Sequence, residues 1–332
     1  MMKRSRFQVV YNTLTNLVLS SVLVVSLVGC AAPIRNRAED VRLVTASDLP
    51  EKRGHPLLSF LVSEWQQPYN RIGKVQAEEN DGSARVFVDA EQAVIYYERQ
   101  GFTTERAAYT NLVYRVHFSE TPFSLIPFHL TAGNNPGVLV IITLDGKEKP
   151  ILVTTVNTCG CYVAIIPTSY LDAEAYPDEW PEKEQPIYGE ILPARLEMTV
   201  LTEGLLVTIG PSVHRVKDVQ VMPVNSSCPS LEVVAELQPL SILKSLPLTA
   251  GRTTSMYYDQ WPLKGHVKGA IKPWESLLLS LVSLDLYVGM DKEYGNTAES
   301  GNPFYTSLKP WNRKISDMND FAGFLKFYGW KL

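Results

Sequence analysis

Val138-Leu139-Val140-Ile141-Ile142-Thr143-Leu144 and Ile151-Leu152-Val153-Thr154-Thr155-Val156 enclose the polar stretch Asp145-Gly146-Lys147-Glu148-Lys149-Pro150. Two β-branched runs of strand length around a loop that opens with Asp-Gly read as a β-hairpin. Their nearly unbroken apolar character calls for cover on both faces of the sheet. Upstream, Arg85-Val86-Phe87-Val88 and Leu112–Phe118 alternate as strands do, and Pro56–Leu61 marks the start of folding. Downstream, strands are predicted at Arg195–Leu201, Leu205–Ile209 and Arg215–Met222, with Glu203-Gly204 as a tight turn. Between these groups the proline-rich Asp172–Pro193 segment is the best candidate for an internal boundary.

The period changes in the C-terminal third. Pro273 opens a predicted helix over Trp274–Val288, and Ser316–Phe327 starts with Ser and Asp and stops at Gly329, as helix ends do. Gly289 to Arg313 reads as a long ordered loop. The expectation is an α+β fold: a central, mainly antiparallel β-sheet built from residues near 84 to 240 and closed by C-terminal helices.

Composition sets the bounds. The 332 residues are 45% hydrophobic and 20% charged, the proportions of a globular protein with room for a sizeable core. A net charge of −4 provides no basic field for gripping phosphate backbones, so nucleic acid is not an expected partner. G-x-S-x-G, H-E-x-x-H, the P-loop, G-x-G-x-x-G and C-x-x-C-H are all missing, which lowers the common enzyme classes.

Chemistry is sought first at the cysteines. Cys159-Gly160-Cys161 follows the second hairpin strand, and Cys228 is the third thiol downstream of Cys30. The simplest outcome is one disulfide, either Cys228 with one of the pair or a tight ring within it, which would be easily reduced. The sharper outcome is a zinc or cuprous copper site in which His117, His129, His214 or His266 joins the thiolates, although no two of these have a local ligand spacing. No cofactor is otherwise expected. A thiol activated by a distant histidine, as in a Cys-dependent hydrolase, is a third reading.

Ser276–Met290 is apolar apart from a stripe of Ser276, Ser280, Ser283 and Tyr287 and one acid, Asp285. As a helix it should be buried. A buried Asp285 needs a partner, for which Lys264, Lys268, Lys272 and Lys292 are near in sequence, or else it is an active-site acid. The tryptophans, Trp65, Trp180, Trp261, Trp274, Trp311 and Trp330, could furnish stacking platforms for glycans or peptides.

The N-terminus carries Lys3, Arg4 and Arg6, an apolar run from Leu17 to Val28, and Leu27-Val28-Gly29-Cys30. Basic start, short apolar core and small residue are the layout of a secretory signal peptide, and the final tetrapeptide resembles the lipobox of bacterial lipoproteins. The resemblance covers residues 1–30. It implies cleavage before Cys30, acylation of Cys30 by chains such as palmitate, and, with Ala31 next, an outer-membrane anchor in a Gram-negative cell with the domain facing the periplasm. The domain plan is a signal peptide over 1–29, a lipidated tether over 30–54 and a globular region over 55–332, with a sub-boundary near 172–193. The expected role is a lipid-anchored binding or structural module of the envelope, non-enzymatic, with the membrane and an envelope protein or glycan as partners. The alternative is a thiol-based metal or redox protein, or a hydrolase, at Cys159 and Cys161.

Overall fold

The computed structural model describes residues 40–47, 58–80, 83–200, 203–223 and 231–332. The expected signal peptide, Cys30 and Cys228 lie outside the described residues. The expected hairpin is present as strands Gly137–Leu144 and Pro150–Asn157, paired antiparallel from Leu144↔Pro150 to Asn157↔Val138. Every residue of both strands is buried. Asp145 organises the loop, its carboxylate accepting from the Lys147 and Lys149 amides at 2.8 and 2.9 Å.

Alternation along the hairpin feeds two cores. Leu139, Ile141, Leu152 and Val156 face Phe321, Phe324 and Trp330 from the C-terminal segment. Val138, Val140, Ile142 and Val153 face Phe60, Val62, Leu205 and Val207, which belong to the far half of the same sheet. The sheet therefore curls on itself and encloses the second core. Its ten strands run in space Ala164–Pro167, Pro150–Asn157, Gly137–Leu144, Ala108–His117, Val94–Thr103, Glu232–Pro239, Val41–Ala46, Leu58–Ser63, Gly204–Ile209 and Val216–Met222.

The fold is α+β in class and mostly β, and the sheet is mixed. Glu232–Pro239 pairs parallel with both Val94–Thr103 and Val41–Ala46, and Leu58–Ser63 pairs parallel with Gly204–Ile209. These partners are distant in sequence, so crossovers rather than hairpins join them. Val41–Ala46 falls inside the segment expected to be a tether, yet it is an inner strand with partners on both sides. Residues 195–200 form no strand; Leu196 makes a single bridge to Thr168. Segment 172–193 holds a small hairpin, Glu184–Ile187 with Glu190–Pro193.

The registers put Val41, Ser63, Val94, His117, Gly137, Asn157 and Ile209 at one end of the sheet, and the loops at 104–107 and 145–149 at the other. The first end is capped by the helix Pro273–Ser283, stopped by Leu284 in the left-handed region at φ 52°. The last helix, Phe321–Phe327, is capped by Asp320, whose side chain accepts from the Gly323 amide at 3.1 Å. Ser276–Met290 departs from its expected burial. Glu275 and Ser283 are the buried residues of its helix, while Leu277, Leu278, Leu281, Leu284 and Leu286 are exposed. The polar side turns inward because it closes over charged groups of its own N-terminus and of the following loop, Lys272 and Asp291.

Candidate functional site

The chain leaving the Asn157 end of the hairpin turns at once through Thr158-Cys159-Gly160-Cys161. Cys159 and Cys161 are joined as a disulfide. Gly160 is required at the turn: its φ is +90°, and a Cβ there would sit 2.2 Å from the Tyr305 carbonyl oxygen. Cys159 is buried and Cys161 half-buried.

Beneath this turn lies a buried charged cluster. Lys272 Nζ meets Asp291 Oδ2 at 2.9 Å, with both side chains at most 3% exposed, and the Thr158 hydroxyl donates to the other Asp291 oxygen. Burial pulls the Lys272 ammonium down, but Asp291 and Glu275 more than offset this and hold it above its ordinary value. Lys292 is fully buried; its Nζ donates to the Cys159 carbonyl at 2.6 Å and the Met290 carbonyl at 3.1 Å, and lies 4.3 Å from the Tyr305 ring centroid. Burial, aided by repulsion from Lys272, pushes its pKa down to about 8. Glu275 is buried against Gly289, where a Cβ would come within 2.2 Å of the carboxyl group, and burial raises the Glu275 pKa.

The histidines expected as ligands are committed elsewhere. Arg115 Nε donates to His117 Nε2 at 2.7 Å, which makes Nδ1 the protonated nitrogen, donating toward the Asn135 and Pro136 carbonyls at 3.2 Å. Burial and then the Arg115 charge hold His117 neutral, well below the usual histidine pKa. His214 stacks on Phe118 at 3.9 Å and donates from Nε2 to the Tyr69 carbonyl at 2.8 Å; burial pushes its pKa down to about 3. His129 Nδ1 lies 2.9 Å from the Pro122 carbonyl. Among the described residues no group of three or more His, Cys, Asp or Glu is arranged to hold a metal ion.

Asp285 is half-buried at the edge of the cluster. Its carboxylate accepts from the Tyr305 hydroxyl at 2.5 Å and faces Arg313 at 3.6 Å. Partial burial pushes its pKa up, but the Tyr305 and Tyr287 hydrogen bonds and the Arg313 and Lys292 charges outweigh this and hold it below the usual carboxylate range. The deeply buried acids are instead Glu275 and Asp291. Lys272 and Lys292 were candidates for pairing with Asp285; Lys272 pairs with Asp291, six residues away in sequence from Asp285. The signal was there in part: Lys272 and Glu275 before the apolar run, Asp291 and Lys292 after it.

Asp285, Tyr305 and Arg313 form one wall of a cleft of about 210 Å³, whose other lining includes Trp261, His266 and Asn302. Trp261 is 89% exposed at its mouth. His266 is held neutral, its pKa pushed by burial down to about 4, and contacts the Asn302 amide at 3.1 Å. A second cavity, of about 280 Å³, is lined by Glu98, Lys244, Tyr257 and Glu299, and Lys244 is already paired there with Glu293 and Glu299 at 2.9 and 3.4 Å. The Trp261 cleft thus combines an exposed ring face, an acid, a cation and an amide. The buried cluster beside it is sealed and fixes the loops that form the cleft. No protein family, characterised protein or solved structure matches the chain, so the site is read from its own chemistry.

Proposed function

We propose that the chain is a lipid-anchored protein of the cell envelope, held to the outer membrane by acyl chains on Cys30 with its globular region in the periplasm, and that it is a non-enzymatic binding module whose ligand is an envelope glycan in the Trp261 cleft. The observation that carries the binding role is the exposed Trp261 ring beside Asp285, Asn302 and Arg313. An indole face covers the apolar C–H side of a sugar, while the carboxylate, amide and guanidinium match its hydroxyls. Most glycoside hydrolases use two carboxyl groups across the scissile bond. Among the described residues Asp285 is the one carboxylate lining the cleft, and it is held ionised by Tyr305 and Arg313. The anchor rests on Leu27-Val28-Gly29-Cys30.

Titration of the full chain with soluble peptidoglycan fragments, followed by calorimetry, tests the ligand. Trp261→Ala should weaken binding at least tenfold with the fold intact; equal binding by both proteins would refute the cleft. Cys30→Ser should abolish labelling by radioactive palmitate, and continued labelling would refute the anchor.

One observation favours the rival reading, a thiol-based redox protein or a zinc or copper site: the disulfide closes between residues two apart, with Cys161 half-buried and Lys292 on the Cys159 carbonyl. In that case mild reductant would open Cys159–Cys161 without unfolding the chain, and the reduced protein would take up zinc or copper in stoichiometric amount. A hydrolase would instead show one thiol unusually fast toward alkylating reagents at neutral pH.

A further inference from the structure

The helix Pro273–Ser283 is amphipathic in the reverse of the usual sense for a globular protein. Its carboxyl and hydroxyl groups at Glu275 and Ser283 face the protein, and Leu277 and Leu281 face solvent, Leu281 at 84% exposure. The outward face continues through Leu284 and Leu286. On the other side it joins the loop bearing Phe123 and Ile126, the latter 94% exposed, because Trp274 packs between Phe123 at 6.2 Å and Phe128 at 5.8 Å. Arg313 donates to the Ser283 carbonyl and so brings a third loop alongside, with Leu308, Trp311 and Ile315 exposed. Single exposed apolar residues are ordinary, but a contiguous face built from three segments marks an interaction surface.

Two observations identify the occupant. The cations interleaved with the third loop and not paired with Asp285 are Lys309 and Lys314, and no acid occurs in residues 122–130 or 308–315. Near the helix, Glu275 is buried and Asp285 is neutralised by Arg313. The face is therefore leucine and tryptophan rimmed by cations, the pattern that suits the headgroup boundary of an anionic bilayer. The second observation is chain connectivity. Asp40 enters the sheet through Val41, at the end capped by this helix, and its carbonyl and carboxylate hold the Trp65 and Gln66 amides there. The ten residues from Cys30 to Asp40 span at most about 36 Å. An anchored chain thus has its tether and its leucine face at the same end.

We propose that the Leu277–Leu286 face, with the Phe123 and Trp311 loops, lies on an anionic phospholipid bilayer as a second membrane contact, resting on the proposed anchor at Cys30 and adding to it. Acyl chains on Cys30 tether the domain through a single point, and a second apolar and cationic contact fixes which face it turns to the bilayer. Docked in this way, the domain would be held with its helix end on the membrane.

The test places a polarity-sensitive fluorophore on Leu281→Cys, and separately on Glu105→Cys at the opposite end of the sheet, in the full chain carrying Cys228→Ser. Both proteins are mixed with vesicles of phosphatidylethanolamine and phosphatidylglycerol. The expected result is a blue shift and at least a twofold rise in emission at position 281, lost in vesicles of neutral phosphatidylcholine, with no change at position 105. Equal responses at the two positions, or no response at 281 in protein that floats with the vesicles, would overturn it. Mass measurement of the N-terminal fragment reads the acyl chains independently, so a missing anchor and a leucine face that avoids lipid are separate outcomes.

Discussion

Two stretches of this chain are about equally apolar and end up in opposite surroundings. The hairpin Gly137–Leu144 with Pro150–Asn157 is buried at every residue, whereas the helix Pro273–Ser283 buries Glu275 and Ser283 and exposes Leu277, Leu278 and Leu281. In the hairpin, residues on alternate faces meet two separate cores, so apolar side chains are stabilised on both sides. At the helix, the groups to be covered are charged: Lys272 at its own N-terminus, and Asp291 and Lys292 in the loop that follows it. Removing such groups from water requires hydrogen-bonding and charged partners, which the leucines cannot supply. Composition fixes what a segment must eventually contact, and the neighbouring surface decides which face does so.

The sharpest way to break the contrast is at the cap. Asp291→Ala removes the carboxylate that compensates buried Lys272 and accepts from Thr158, and should destabilise the protein by about 3–5 kcal/mol in urea unfolding. A loss under about 1 kcal/mol would mean that the helix is not held by this pair. Asp291→Asn, which keeps the volume, should recover little, because the charge on Lys272 stays unpaired.

Much of the hairpin half was legible in the sequence. Val138–Val156 announces itself through β-branched runs and a turn, and Gly329 marks the end of the last helix, whose start lies at Asp320 rather than at the expected Ser316. The parallel pairing of Val41–Ala46 with Glu232–Pro239 had no local signal, since nothing in a six-residue strand specifies a partner some 190 residues away. At the site, Cys159, Cys161, Asp285 and Trp261 stood out by residue type. Their real neighbours, Tyr305, Arg313, Asn302 and Lys292, come from separate loops and become neighbours only through the fold. Asp285 interrupts an apolar run and is conspicuous in the sequence, whereas the deeper acid, Asp291, sits beside Lys292 and Glu293 and has no distinguishing pattern.

Acid acts more mildly, and outside the hairpin. His214, buried beside Phe118, has its pKa pushed to about 3, against an ordinary value near 6.5. The unfolded chain therefore takes up a proton below about pH 6.5 that the folded chain refuses until about pH 3. Stability from this group is full above pH 6.5 and falls by about 1.4 kcal/mol per pH unit through that window. His117 and His266 act in the same direction, and Glu275, with its raised pKa, opposes them. His214→Asn, which tolerates the left-handed backbone at this position, should flatten the slope of unfolding free energy between pH 6 and pH 4 by about one proton. An unchanged slope would place His214 in a solvated setting. The hairpin, without a titrating side chain on either strand, contributes nothing to this slope.

The smallest expected effect bears most directly on the arrangement as a whole. Urea unfolding of Leu281→Ala, run beside Ile141→Ala in the absence of lipid, compares an outward helix residue with a hairpin residue of the same volume. The expected result is a change within about 0.5 kcal/mol for Leu281→Ala and a loss of about 2–5 kcal/mol for Ile141→Ala. A loss of 2 kcal/mol or more for Leu281→Ala would show the leucine face packed inside the protein and contradict its role as an outward docking surface.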